Sequence, residues 1–449
     1  MKPETFARYA SRNLPRYTSY PTAPHFSPAV DAYTYHGWLG GIEPGTDLSL
    51  YVHIPFCRSM CWYCGCHTTV TTRQEPVSAY LAALVQEAWR VADTLPPGCL
   101  VRHLHFGGGT PTLIPPGDFI ELIEALRRRF GFARDADIAI EIDPRTLAAE
   151  LVPALAASGV NRASIGVQTF DPVVQRAINR CQDFATVAGT VTRLRDAGIA
   201  AINFDLIYGL PLQTVQSCVD SVEQALALEP NRLAVFGYAH VPGFKPHQRK
   251  IDSAALPDAD ERWAQGRAID AALLAAGYVR IGLDHYAKPG DSLAIAARTG
   301  ALHRNFQGYT TDDCPALIGL GASAIGRLPQ GFVQNVTGIG DYQRRVKEGQ
   351  FAVARGYRLT AEDRLRGALI ERLMCDQGVD IAGICRSFGA DPAALVATPE
   401  LRALEEDGII ARDGARISIP AESQPLVRAV AAAFDAHLPS GQAIHSRAV

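Results

Sequence analysis

From residue 48 onward, short apolar runs alternate with amphipathic stretches. The strand-like runs are Leu48–Ile54, Val101–Phe106, Asp137–Ile142, Arg162–Val167, Ala200–Ile207 and Arg232–Tyr238. Between them lie helical patterns. In Pro76–Val91 the apolar positions Val77, Tyr80, Leu81, Leu84, Val85 and Ala88 recur at i, i+3/i+4 spacing, which places them on one helical face. Further helices are expected at Pro116–Phe130, Leu151–Ala157, Phe184–Ala197, Val215–Leu228 and Asp258–Ala276. Pro116 and Pro153 suit helix starts, and Gly159, Gly198 and Gly277 suit positions just past helix ends. Six strand–helix units in series predict parallel strands with helices on one side. The fold class is therefore α/β, a partial (β/α)6 TIM-like barrel, with function expected at the C-terminal ends of its strands.

The flanks read differently. Residues 1–46 hold prolines at 15, 21, 24 and 28, which argue against a long helix before that point. Tyr17, Tyr20, Phe26 and Tyr33 weigh against disorder, so an irregular arm wrapping the body is expected. The barrel and its extensions, with a strand at Tyr278–Leu283 and a glycine-rich GLGASAIG stretch, occupy 47–350. Residues 351–449 are expected to form a mostly helical domain. Thr360 with Asp363 opens a helix over Leu359–Met374. A helix at Glu400–Asp407 precedes strands Ile409–Arg412 and Arg416–Ile419, which flank the hairpin signal Asp413-Gly414. Pro425–His437 is the last expected helix. Helices followed by a hairpin suggest a winged-helix-like domain. Its mixed charge argues against DNA binding and favours a structural or lid role.

Composition narrows the class. The chain has 449 residues, 47% of them hydrophobic, and a net charge of −3, so no general nucleic-acid-binding surface is expected. No apolar leader follows the N-terminal Met, and no run of about 18 apolar residues occurs. A cytoplasmic monomer is expected.

Of ten cysteines, Cys99, Cys181, Cys218, Cys314, Cys375 and Cys385 stand singly and read as ordinary buried thiols. The other four crowd YVHIPFCRSMCWYCGCH, residues 51–67. Cys57, Cys61 and Cys64 have C-x3-C-x2-C spacing. Three thiolates on one loop suit three irons of a [4Fe-4S] cluster and leave the fourth iron open to a ligand. A structural zinc site is the alternative, but no second ligand pair follows to close a tetrahedron. With Tyr63 before the third cysteine, the pattern resembles the signature of radical S-adenosylmethionine (SAM) enzymes. One unit later, GGGTP (107–111) follows a strand, where glycines let backbone approach a ligand closely.

These segments, with PRYTSYPTA (15–23), FGGGTPT (106–112), EIDPR (141–145), GVQ (166–168), DLIYGLP (205–211), QRKI (248–251) and HRNFQGYTT (303–311), resemble the oxygen-independent coproporphyrinogen III oxidases. The resemblance runs through nearly the whole chain and is weakest in the last hundred residues. Cys66 and HRNFQGYTT set it apart from the related haem-chaperone branch, the alternative reading. It implies that Cys57, Cys61 and Cys64 bind the cluster, while Cys66 is needed for activity without ligating iron. It also implies two SAM molecules. Tyr51, Gly108, Glu141 and Ile325 would contact the one on the open iron; Tyr63, Gly109, Thr110, Gln168, Arg180, Asp205 and Ala239 would contact the other. His53, on the same strand face as Tyr51, would bridge a SAM and the cluster surroundings. Arg16, Arg249, Lys250 and Arg304 are candidates for holding substrate carboxylates. The implied reaction is oxidative decarboxylation of two propionates of coproporphyrinogen III to vinyl groups, giving protoporphyrinogen IX. The implied start is one-electron cleavage of SAM to a 5′-deoxyadenosyl radical, fed by an electron donor protein.

Overall fold

The computed structural model describes residues 3–438; residues 439–449 of the expected C-terminal domain lie outside the described residues. Six strands carry the molecule: β1 (Asp47–Ile54), β2 (Leu100–Gly108), β3 (Gly131–Ile142), β4 (Arg162–Gln168), β5 (Ala201–Tyr208) and β6 (Arg232–Gly237). They pair in sequence order and in parallel, as the strand–helix alternation predicts. The sheet continues at both edges. Ala316–Leu320 pairs parallel with β1, followed by antiparallel Ile325–Leu328, Gly331–Asn335 and Val353–Arg358. Beyond β6 lie His285–Ala287 and Val279–Ile281, so the barrel stays open.

Each strand sorts its residues by period two. In β4, Ala163, Ile165 and Val167 are buried, and in β5 so are Ile202, Phe204 and Leu206. These face the helices α3 (Glu75–Thr94), α4 (Pro116–Arg129), α5 (Leu151–Ala157), α7 (Phe184–Asp196), α8 (Val215–Ala227) and α9 (Ala259–Ala275), numbered with α1, α2 and the short α6 described below. Each fully buried aliphatic contributes roughly 1.5–3 kcal/mol. The alternate positions, Ser164, Gly166, Asn203 and Asp205 among them, line a cavity instead. A barrel whose inner positions are polar and unfilled has room for ligands. Gly159, Gly198 and Gly277 follow α5, α7 and α9 at positive φ, as expected of their positions.

Several elements differ from the sequence expectation. The arm is not wholly irregular: it contains α1 (Pro3–Ala10) and α2 (Ala32–Gly40). The prolines fall between the two helices, and Asp31 caps α2 by accepting from the Thr34 amide at 2.8 Å. A short helix, α6 (Pro172–Ala177), precedes α7. β3 starts at Gly131, six residues earlier than its apolar run. The expected last helix is broken into a 3-10 turn with Pro425 inside, a helix over Val427–Ala431, and another 3-10 turn. The wing adds a third strand, Gly378–Asp380. Its turn is Gly414-Ala415, since Asp413 pairs with Arg416. Thr360 and Asp363 form the predicted capping box.

Candidate active site

The four clustered cysteines sit just beyond the C-terminal end of β1. The loop carrying them is held through its own backbone groups. Asn179 Nδ2 donates to Met60 O at 2.9 Å, and the Trp62 amide donates to Ile178 O at 2.9 Å. The 3-10 turn Pro246–Lys250 grips the other side: Gln248 Nε2 donates to Tyr63 O at 3.0 Å, and His247 Nε2 lies 2.7 Å from Cys64 O. Lys245 Nζ donates to Cys66 O at 3.1 Å. Loop shape is thus fixed without using the sulfurs.

Each sulfur has its own donors. Cys57 Sγ accepts from Thr68 Oγ1 at 3.1 Å and Thr110 Oγ1 at 3.4 Å. Cys61 Sγ faces Arg145 Nη2 at 3.4 Å and Arg180 Nη1 at 3.5 Å. Both arginines also bind Asp143, at 2.6 and 3.4 Å. The Cys66 amide donates to Cys64 Sγ at 3.4 Å. The Cys66 thiol lowers Cys64 to about 6 and is itself pushed up by Cys64, so the pair holds its thiolate on Cys64. Buried donors around soft anionic sulfurs are what an iron–sulfur cluster needs. Among the described residues, the one group of three such ligand atoms within 4.8 Å of one another is His103, Asp312 and Cys314. Cys57, Cys61 and Cys64 as a trio are therefore spread wider than around one tetrahedral ion, where sulfurs at about 2.3 Å from the metal stand about 3.8 Å apart. The donor set fits a cluster.

The glycine triplet forms the cradle. A Cβ on Gly109 would stand 2.5 Å from Phe56 O and 2.5 Å from Thr68 Oγ1; one on Gly107 would stand 2.8 Å from Glu141 Oε1. Backbone must pass here bare. Gly108 donates its amide to Glu141 Oε2 at 3.1 Å, and His105 Nε2 lies 3.3 Å from Glu141 Oε1. The Tyr51 ring stacks near His105 at 5.8 Å. Asp205 accepts from Ser164 Oγ at 3.0 Å and Asn203 Nδ2 at 2.9 Å. Burial, then the Glu141 charge, raises Asp205 to about 6. Arg180 is buried, donates to Gly166 O at 2.5 Å, and keeps an Nε with no hydrogen-bond partner. Gln168 ends β4 at φ +69°, a strained backbone for a side-chain-bearing residue.

One cavity of about 650 Å³ gathers Tyr51, Cys57, Cys61, Tyr63, Cys64, Cys66, Gly108, Gly109, Thr110, Glu141, Gln168, Arg180, Asp205 and Ala239. Two expected residues lie behind its wall. His53 is buried, with Nε2 on His67 O at 2.9 Å and Nδ1 on Tyr51 OH at 3.0 Å. Burial lowers its pKa, so it is a neutral ring accepting from Tyr51. Ile325 opens the strand next to Gly319, the register partner of Tyr51.

Of the carboxylate-holding candidates, Arg16 reaches the cavity, donating to Gly237 O at 3.2 Å. Arg249 and Lys250 are exposed on the 3-10 turn and turn away, Arg249 toward Pro242 O and Lys250 over the Trp62 ring. Arg304 is buried under the Tyr309 ring, 3.9 Å from Asp284. Sequence reasoning missed Thr68, His105, Arg145 and His247. Only Arg145 left a signal, as part of the quoted EIDPR.

Comparison with known proteins agrees with this geometry. Residues 51–225 match the radical SAM superfamily, and residues 359–426 match the HemN C-terminal domain. The oxygen-independent coproporphyrinogen III oxidase of Bradyrhizobium diazoefficiens is 54% identical over 450 residues, covering 100% of both chains. That of Paracoccus denitrificans is 44% identical over 426 residues, covering 94% of each. The solved coproporphyrinogen III oxidase of Escherichia coli, described as a radical SAM enzyme, superposes with a TM-score of 0.90 at 38% identity, covering 95% of this chain and 100% of its own.

Proposed function

We propose a function from one premise: the chain belongs to the oxygen-independent coproporphyrinogen III oxidases, a radical SAM family. It is an oxidoreductase of porphyrin and haem biosynthesis that converts two propionates of coproporphyrinogen III to vinyl groups, giving protoporphyrinogen IX. The observation that carries this reading is the meeting of the cysteine loop, the bare glycine backbone and two carboxylates, Glu141 and Asp205, in one cavity at the strand ends.

Cys57, Cys61 and Cys64 would hold a [4Fe-4S] cluster, and two SAM molecules would share the cavity. Bound there, they supply one-electron reductive cleavage and removal of a propionate hydrogen atom. The chain's own part is positioning. Tyr51, Gly108 and Glu141 hold the first SAM, with Ile325 backing them from behind the cavity wall; Glu141 offers acceptors to an ammonium or a ribose hydroxyl. Tyr63, Gly109, Thr110, Gln168, Arg180, Asp205 and Ala239 hold the second, with Arg180 giving its fork to a carboxylate. His53 fixes the Tyr51 hydroxyl. Cys66 serves turnover without binding iron. An electron donor protein would dock at the exposed rim Gly65–His67. The chain acts as a monomer in the cytoplasm. No described helix is long and apolar enough to cross a membrane.

The test is anaerobic turnover of the reconstituted protein with SAM, a reductant, coproporphyrinogen III and an electron acceptor from cell extract. Divinyl product with 5′-deoxyadenosine is expected. Protein that cleaves SAM but leaves the tetracarboxylate intact would sink the oxidase reading and turn attention to haem binding.

A further inference from the structure

Three metal-binding side chains meet well away from the cysteine loop. A ring nitrogen of His103, a carboxylate oxygen of Asp312 and Cys314 Sγ all lie within 4.8 Å of one another. His103 is on β2, and Asp312 and Cys314 lie just before the Ala316–Leu320 strand. β1 runs between these two strands. Its Ser49 is the register partner of His103 on one side and of Leu317 on the other, so the trio spans β1 near its start. Five strand positions, about 16 Å, separate Ser49 from Ile54, where the cysteine loop leaves β1.

Two of the three side chains are already aimed. Ser49 Oγ donates to Asp312 Oδ2 at 2.6 Å, and the Cys314 amide donates to Asp312 Oδ1 at 3.0 Å. Outer hydrogen bonds of this kind orient ligating carboxylates. Arg327 Nη2 holds the Cys314 carbonyl at 3.0 Å. His103 is not so held. Its Nε2 stands 3.9 Å from Asp312 Oδ1, too far for a hydrogen bond. Neither ring nitrogen has a hydrogen-bond partner among the described residues, so the ring can ligate without breaking a bond. The Asp312 side chain is 10% exposed and Cys314 is buried. One nitrogen, one oxygen and one thiolate suit zinc or a similar borderline ion. Calcium and magnesium take oxygen ligands, and an iron–sulfur cluster takes several thiolates. Around tetrahedral zinc such atoms stand about 3.3–3.6 Å apart, so closing on an ion needs side-chain shifts of about 1 Å. His103 and Asp312 line the cavity, whereas Cys314 stands behind its wall, which leaves a fourth position to water. Burial pushes the Cys314 thiol up to about 12; it keeps its proton until a metal displaces it to solvent.

We propose that His103, Asp312 and Cys314 bind one divalent cation of the zinc class, with Ser49 as the outer group that aims Asp312. Such an ion ties β2 to the Ala316–Leu320 strand across β1 and braces the sheet where the cavity ends. The inference does not rest on the oxidase reading.

The test uses the reconstituted protein with its cluster in place, so that the loop cysteines are occupied. One equivalent of zinc is added without oxygen, unbound metal is removed by gel filtration, and zinc and iron are counted. One zinc per chain is expected in addition to the cluster iron. X-ray absorption at the zinc edge should show one sulfur at about 2.3 Å and nitrogen or oxygen ligands at about 2.0 Å. Competition with a chelating dye should give an affinity at least about a hundredfold weaker in Cys314→Ser and His103→Gln, and about ten- to a hundredfold weaker in Ser49→Ala. His103 is partly exposed, so His103→Gln keeps the test open should Cys314→Ser fail to fold. Zinc should raise the Tm of wild type and leave that of His103→Gln unchanged. Cys218→Ser, which removes another buried thiol, should bind zinc as wild type does. Zinc ringed by two or more sulfurs, with iron lost, would place the ion on the cysteine loop and overturn the proposal. So would zinc lost on gel filtration, an adventitious ion only, or His103→Gln protein that binds zinc as tightly as wild type. Turnover enters none of these readouts, so the oxidase reading is tested separately.

Discussion

Cys64 and Cys66 are two positions apart, yet each shifts the other's thiol in the opposite direction, Cys64 down and Cys66 up. That contrast gives a first prediction. Cys57→Ala should lose bound iron and all SAM cleavage. Cys66→Ser should keep its iron and lose vinyl formation. Iron analysis beside product assay separates the two, and a Cys66→Ser protein that sheds iron like Cys57→Ala would make Cys66 a ligand. Asp205 gives a pH prediction. Its folded pKa, about 6, stands above the ordinary carboxyl value of 3.8. Its protonation therefore stabilises the fold fully below 3.8, and that contribution is lost as pH rises through 6. Its ionised form is the one able to accept two ribose hydroxyls. SAM affinity should thus rise as pH climbs from 5 to 7, whereas Asp205→Asn should bind more weakly with a flat profile. Calorimetric titration across that range decides it; parallel profiles would remove Asp205 from the site. At this scale the sequence was informative where chemistry is local, as in the cysteine spacing. Thr68, His105 and Arg145 escaped because a lone Thr, His or Arg becomes a sulfur or carboxylate partner only after the chain folds.

The strand β2 and its trailing glycines explain why the cysteine loop can close over the sheet. The Gly109 amide donates to Ile54 O at 2.8 Å, and the Thr110 amide donates to Phe56 O at 2.7 Å, so β2 runs against the start of the cysteine loop. Gly109→Ala would drive a methyl into Phe56 O and Thr68 Oγ1. Neither is a free side-chain tip, because one is backbone and the other is fixed on Cys57. The loss should be about 2 kcal/mol or more, seen as a lower Tm and faster iron release, whereas Gly117→Ala, with open space around it, should be near neutral. Equal stability of the two variants would refute the cradle. Elements of this kind were legible where period-two or helical apolar spacing persisted. Val77, Tyr80, Leu81, Leu84 and Ala88 all turn inward as their spacing requires. The broken last helix was not legible. Its alanine-rich run carries helical propensity throughout, and only Pro425 inside the first turn hints at the interruption. Nor was α2, whose cap at Asp31 was outweighed by the nearby prolines.

Across the whole molecule, the arm joins the barrel to the C-terminal region. Tyr9, Leu14, Tyr17 and Tyr20 are buried in one cluster with Leu369, Leu373, Ile381, Val430 and Phe434. Tyr17 OH donates to Asp435 at 3.0 Å, and Arg428 Nε donates to Pro15 O at 2.8 Å. Between those anchors Arg16 reaches the barrel at Gly237, and Arg304 returns a bond to Arg16 O at 3.3 Å. The tyrosine-rich composition of the arm indicated that it packs; which surface it packs on depends on pairings some 400 residues apart, which no local pattern encodes. The arrangement makes Tyr17 a test of coupling between stability and substrate handling. Tyr17→Phe removes one hydrogen bond and should cost about 1 kcal/mol. Tyr17→Ala also empties a buried ring site and should cost about 3–5 kcal/mol. If the cluster positions Arg16, Tyr17→Ala should raise KM for coproporphyrinogen III as well as lower Tm, and limited proteolysis should cut first within residues 351–438. SAM affinity should hold, because no SAM contact proposed above lies on the arm. A Tyr17→Ala protein with weakened SAM binding and unchanged KM for the porphyrinogen would show that the arm supports the SAM contacts rather than Arg16.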